Sequence, residues 1–93
     1  MNYPTIKYVY PLTNYRLFLI FDNGDIKIYD FKNRLQRSPF QALADEQLFQ
    51  SVHIETGGYG VVWNDDLDLS EYELWKNGVN FSSVERLVEK GVV

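Results

Sequence analysis

A chain of 93 residues that is 45% hydrophobic, with six Phe, seven Tyr and two Trp, can build one core without metals or disulfides, and the absence of Cys excludes thiolate chemistry and Cys-ligated zinc. Nine basic residues against thirteen acidic ones give a net charge of −4, which argues against attraction to nucleic-acid phosphates or anionic lipid. No apolar run approaches the roughly 20 residues of a membrane span, and no basic-then-apolar leader opens the chain, so a single cytoplasmic domain over residues 1–93 is expected, with no membrane contact and no cofactor.

The first strand is expected from Thr5 to Tyr10, with Ile6, Tyr8 and Tyr10 alternating against Lys7 and Val9 and Pro11 ending its ladder. Leu12-Thr13-Asn14-Tyr15 reads as a short turn with Thr13 and Asn14 at its centre. Within Tyr15–Phe31 two β-rich runs flank Asn23-Gly24, a pair that tolerates positive φ and predicts a two-residue type I′ hairpin. These turns place Tyr10 opposite Leu17, Tyr8 opposite Leu19, Phe21 opposite Ile26 and Leu19 opposite Ile28. One face of the resulting three-stranded meander then carries Ile6, Tyr8, Tyr10, Leu17, Leu19, Phe21, Ile26 and Ile28, and is read as the core face.

The same registers collect Val9, Phe18, Ile20 and Tyr29 on the reverse face, flanked by Lys7 and Lys27. A water-facing antiparallel sheet should alternate to polar residues, and this one does not, so something is expected to cover it. Two covers stay open: the chain's own C-terminal helices, or a protein partner or second copy. A bulge in either strand would undo the assignment.

From Phe31 to Gln50 the alternation stops, and a turn of helix near Lys32–Leu35, a loop at Ser38-Pro39 and a short helix near Asp45–Gln50 with Asp45 as its N-cap are predicted. Val52–Glu55 and Gly60–Trp63 form a second hairpin around Thr56-Gly57-Gly58-Tyr59. Ser70-Glu71-Tyr72-Glu73 is a capping box in which the Glu73 carboxylate reaches back to the cap, with Leu69 and Leu74 as a hydrophobic staple and Gly78 as the stop. Ser82-Ser83-Val84-Glu85 repeats the capping pattern, and Val84, Leu87 and Val88 stripe a last short helix that ends at Gly91.

Little in the chain points to catalysis. His53, the single histidine, sits on a Val-His-Ile strand with no nucleophile motif nearby, and no Ser lies in a Gly-x-Ser-x-Gly elbow, so the chain is not expected to be an enzyme and no catalytic residue is assigned. Asp65, Asp66, Asp68, Glu71 and Glu73 lack the glycine and distal Glu of a calcium loop and suit the start of a helix, so no metal site is expected. Gly57-Gly58-Tyr59-Gly60 lies between strands and reads as a turn, not a phosphate cradle. Ser82–Gly91 offers only Arg86 and Lys90 amid Glu85 and Glu89, which argues against a DNA-reading helix.

Pro11, Asn14-Tyr15-Arg16-Leu17, Leu19, Phe21-Asp22-Asn23-Gly24-Asp25, Tyr29-Asp30, Phe40, Leu43, Phe49, Val52, Gly57-Gly58-Tyr59, Val62-Trp63 and Asp68-Leu69 together resemble the bacterial domain-of-unknown-function family 2442, from about Val9 to Trp75. The resemblance implies a small α+β domain. Some members continue into a helix-turn-helix domain, short members are suspected of acting beside a small toxin-like protein, and no catalytic residues transfer. Members commonly carry a Gly before the Asp-Leu pair, whereas here Asn64-Asp65-Asp66-Leu67 intervenes without one.

The expected architecture is therefore α+β: a three-stranded antiparallel meander, a helical connection, a second β-hairpin and two short C-terminal helices. The leading functional expectation is a non-enzymatic interaction module, antitoxin-like or regulatory, that meets a protein partner or a second copy through Lys7, Val9, Phe18, Ile20, Lys27 and Tyr29. The alternative is a small-ligand-binding domain with a pocket built from Gly57, Gly58, Tyr59, Trp63 and Trp75.

Overall fold

Arg16–Phe21 alternates Leu17, Leu19 and Phe21, all fully buried, with half-buried Arg16, Phe18 and Ile20, and this period of two makes it an inner strand (β2) of the first sheet. The computed structural model describes residues 3–80 and shows an α+β fold. In the first sheet β2 lies between Ile6–Leu12 (β1) and Ile26–Asp30 (β3), and β3 carries a short fourth strand, Val79–Asn80 (β7), on its other side. The second sheet is a meander of His53–Ile54 (β4), Gly60–Asn64 (β5) and Leu67–Ser70 (β6).

Both turns of the first meander depart from the sequence expectation, and by the same amount. Gly24 has φ of 91° and its N–H bonds the Phe21 carbonyl at 2.9 Å, but Asn23 is not at positive φ, and the Phe21 N–H bonds Asp25 O at 2.9 Å. The loop is therefore a three-residue turn with a left-handed glycine at its third position, not a two-residue type I′ turn. Ile20 faces Ile26, and Leu19 faces Lys27. The first turn likewise spans three residues, Thr13-Asn14-Tyr15, with Asn14 and Tyr15 at φ of 62° and 59°, so Tyr10 faces Phe18 and Val9 faces Leu19. Tyr15 holds this uncommon conformation with its ring edge-on to Phe49 and its hydroxyl donating to the Ala44 carbonyl.

A slip of one residue turns a strand over. Leu17, Leu19, Phe21 and Ile6 face the core as expected, but they share that face with Val9, Lys27 and Tyr29. Tyr8, Tyr10, Ile26 and Ile28 lie on the opposite face with Phe18 and Ile20. Ile6 keeps its inward place only because β1 gains one residue at Lys7, a bulge between the Ile6–Phe21 and Tyr8–Ile20 pairs. Pro11 does not end the ladder. As a member of an edge strand it needs no N–H partner, and β1 runs on to Leu12.

The segment between the sheets folds as two 3₁₀ turns, Lys32–Gln36 and Phe40–Ala44, around a cis Ser38–Pro39 bond, followed by a helix over Glu46–Gln50 (α1) whose Asp45 cap accepts from the Gln47 N–H at 3.0 Å. Phe31 is the hub of the core beneath it. Its ring meets those of Phe40, Phe49 and Trp63 at 5.3–5.8 Å, and the Trp63 indole donates to the Phe49 carbonyl at 2.9 Å.

The second sheet exceeds the expected hairpin by one strand. Leu67 and Leu69 are buried and Asp68 is exposed, so β6 alternates as a half-buried strand should, and the Asn64 side chain accepts from the Asp66 N–H at 2.9 Å to close its turn without glycine. This sheet is joined to the first at Gly58, whose carbonyl accepts from the Ile6 N–H at 2.8 Å. With φ of 78°, and with any Cβ falling 2.7 Å from the Ile6 carbonyl oxygen, that position admits only glycine.

Glu71–Asn77 (α2) follows β6 directly, with Ser70 Oγ accepting from the Glu73 N–H at 3.2 Å. Gly78 ends the helix in extended backbone at φ of −73°, packed where a Cβ would lie 2.6 Å from the Leu74 carbonyl oxygen. The last expected helix, Ser82–Gly91, lies outside the described residues.

A Cβ at Gly24 would meet nothing within 4 Å, so the φ requirement is the whole obstacle to substitution there. Gly24→Val should cost about 1–3 kcal/mol, the scale of forcing a β-branched residue into the left-handed region. Chemical denaturation checks this: an unchanged midpoint would mean that the left-handed turn does not set the register.

Candidate functional site

The backbone of β3 brings Tyr29 inward one residue past the Ile28–Val79 pair at which β7 begins, and α2 lays Glu73 beside it. Arg34, from the first 3₁₀ turn, completes the group. The Tyr29 hydroxyl accepts from Arg34 Nε at 2.7 Å and donates to Glu73 Oε2 at 2.9 Å. The same carboxylate oxygen takes Arg34 Nη2 at 2.9 Å and the Asn77 amide at 2.8 Å. The Glu73 carboxylate thus leaves the helix cap that the capping pattern assigned to it and bonds across the cleft instead.

These contacts shift all three groups. Burial pushes the Tyr29 phenol above the ordinary tyrosine value, aided by the Glu73 charge and opposed by Arg34. Burial alone would raise Glu73, but hydrogen bonds from Arg34, Asn77 and Tyr29, with the Arg34 charge, outweigh it and hold the carboxyl below its usual range. Arg34 loses from burial and gains more from Tyr29 and Glu73, so it lies above its ordinary value. At neutral pH the group is a phenol, a carboxylate and a guanidinium. It offers fixed donors and charge, with no free base or nucleophile.

This network floors an open cleft of about 660 Å³. Arg16 and Asp30 stand at one side, 3.9 Å apart; Asn33 comes from the first 3₁₀ turn and Arg37 is the extended residue that ends it, and Ile28 and Val79 give an apolar wall. Arg16, Ile28 and Asp30 reach the cleft from the outer face of the first sheet. There Tyr8 and Tyr10 are 45% and 50% exposed with rings stacked at 6.2 Å, and Ile20 and Ile26 are half-buried beside them.

The expected partner-binding residues are split between the two sides of the sheet. Phe18 and Ile20 stay on the outer face, and Lys7 is exposed in the bulge. Val9 turns toward the core; Lys27 is buried with Nζ 4.3 Å from the centre of the Trp75 ring; Tyr29 belongs to the cleft. The five residues of the alternative pocket are not brought together. Gly57, Gly58 and Tyr59 form the turn against β1, Trp63 is buried against Phe31 and Phe49, and Trp75 packs edge-on to Phe21. None of them lines the cleft. His53 is exposed, its Nδ1 3.3 Å from the Ser51 carbonyl oxygen. Among the described residues no three His, Cys, Asp or Glu side chains are grouped to hold a metal ion, and no helix is long and apolar enough to cross a membrane.

With this geometry the comparison with known families is direct: the chain belongs to the family of proteins of unknown function DUF2442, whose model matches residues 6–80. No curated protein and no solved structure gives a significant match.

The depressed Glu73 pKa has a definite sign. Its contribution to stability is present above the ordinary glutamate range and is lost as pH falls through the lowered value. Glu73→Gln should therefore lower the melting temperature at neutral pH, and the gap to the wild type should close in acid. Melting curves across the acid limb check this; a gap that persists at strongly acidic pH would mean that the ionised carboxylate does not hold the cleft together.

Proposed function

We propose that this protein is a non-enzymatic interaction module that binds another protein through the outer face of its first sheet, in an antitoxin-like or regulatory role. One observation carries the reading: Tyr8, Tyr10, Ile20 and Ile26 share a face that a solvated antiparallel sheet would make polar. Exposed tyrosines suit such a surface because they bring large contact area at small entropic cost. Family membership is compatible with this reading without assigning a role.

Tyr10→Glu tests the reading, since a half-exposed position accepts a charge without burying it. Sedimentation and melting of the untagged full chain are the measurements. The expected result is a folded variant that has lost an association made by the wild type, with a second copy or with a co-purifying protein. A variant that associates like the wild type overturns the reading. So does a collapsed melting temperature, which would mean that the face is already filled within the chain; Val84, Leu87 and Val88, the alternative cover offered by the sequence, lie outside the described residues.

A further inference from the structure

We infer that the cleft beside Tyr29 and Arg34 is a binding site for a small organic monocarboxylate with an apolar body. This inference is independent of the partner surface. In a protein of net charge −4, the cleft lining holds three guanidiniums against two carboxylates, which leaves one net positive charge where the rest of the molecule is acidic.

The guanidiniums are unequally occupied. Arg34 is fixed through Nε and Nη2, and its Nη1 has no hydrogen-bond partner among the described residues. Arg16 has only a loose contact with Asp30 at 3.9 Å. Arg37, exposed at the cleft rim, has no acidic partner among the described residues. Arg34 is thus a positioned donor held by Tyr29 and Glu73, and Arg37 is the charge left to meet a ligand. Planar guanidinium forks match a carboxylate in geometry.

Charge count selects a monoanion. A phosphate monoester carries nearly two charges at neutral pH and would face Asp30 and Glu73 with only one net positive charge to offset it. Ile28 and Val79 form an apolar wall, and the cleft volume falls within the range of small-molecule sites. Both features suit an organic body attached to the carboxylate.

Amide-resolved NMR titration of the full chain with benzoate, benzamide and inorganic phosphate tests the assignment. Saturable benzoate shifts centred on Arg34, Arg37 and Asn77 are expected, with benzamide and phosphate much weaker. Arg37→Gln, at an exposed position that should leave folding intact, should weaken benzoate by about tenfold or more, the loss of one charge-assisted hydrogen bond. Benzamide binding as well as benzoate would show an apolar cavity indifferent to charge and overturn the proposal. Phosphate binding as tightly would show bare charge attraction and overturn it too, as would unchanged benzoate affinity in Arg37→Gln or the absence of saturable shifts.

Discussion

The register of β2 against its neighbours is the constraint on which the rest of the molecule depends. Leu17, Leu19 and Phe21 are fully buried, and whatever stands opposite them shares the core. Because the Asp22-Asn23-Gly24 loop holds three residues, Lys27 and Tyr29 are the ones brought inward from β3, and the equal length of the Thr13-Asn14-Tyr15 loop turns Tyr8 and Tyr10 outward on β1. Tyr29 then meets Arg34 and Glu73, and Lys27 lies over Trp75. The polar-floored cleft and the outer face of tyrosines and isoleucines follow from these two offsets.

Much of the element order was legible in the sequence because it rests on local chemistry. The period of two in β2, the Asp45 and Ser70 caps and the glycine-rich turn before β5 each have a short-range cause, and each is present. Register is a different matter. Asn23-Gly24 fits a two-residue turn and a three-residue turn with a left-handed glycine about equally well, and the choice between them depends on which faces pack. β6 is masked in the sequence because Asp68 and the preceding Asp65 and Asp66 read equally well as the acidic start of a helix, which hides the Leu67–Leu69 alternation. The cleft was hidden for a further reason: Arg34 and Glu73 are 39 positions apart on irregular or short elements, and only the reversed face of β3 places Tyr29 between them.

Glu73 illustrates how one side chain can be claimed by two local rules. Its backbone N–H satisfies the Ser70 cap, while its carboxylate, which the capping pattern would spend on the same turn, accepts from Tyr29 and Arg34 elsewhere in the chain and from Asn77 one turn along the same helix. Charge-assisted bonds to a half-buried guanidinium outweigh a reciprocal bond at an exposed helix end. The short α2 is consequently tied to β3 and the 3₁₀ turn by its polar side, while Leu74 ties it to the core by its apolar side.

The bulge at Lys7 also bears on how copies of this chain avoid one another. β1 is an edge strand, and an unguarded edge invites a foreign strand to continue the sheet. Here the edge is interrupted by an extra residue carrying a lysine at one end and by Pro11, which has no N–H to offer, at the other. Only Tyr8, Val9 and Tyr10 lie between these two interruptions, too short a stretch for a regular ladder to grow. The same strand that displays two exposed tyrosines thereby offers no regular edge on which amyloid-like stacking could grow.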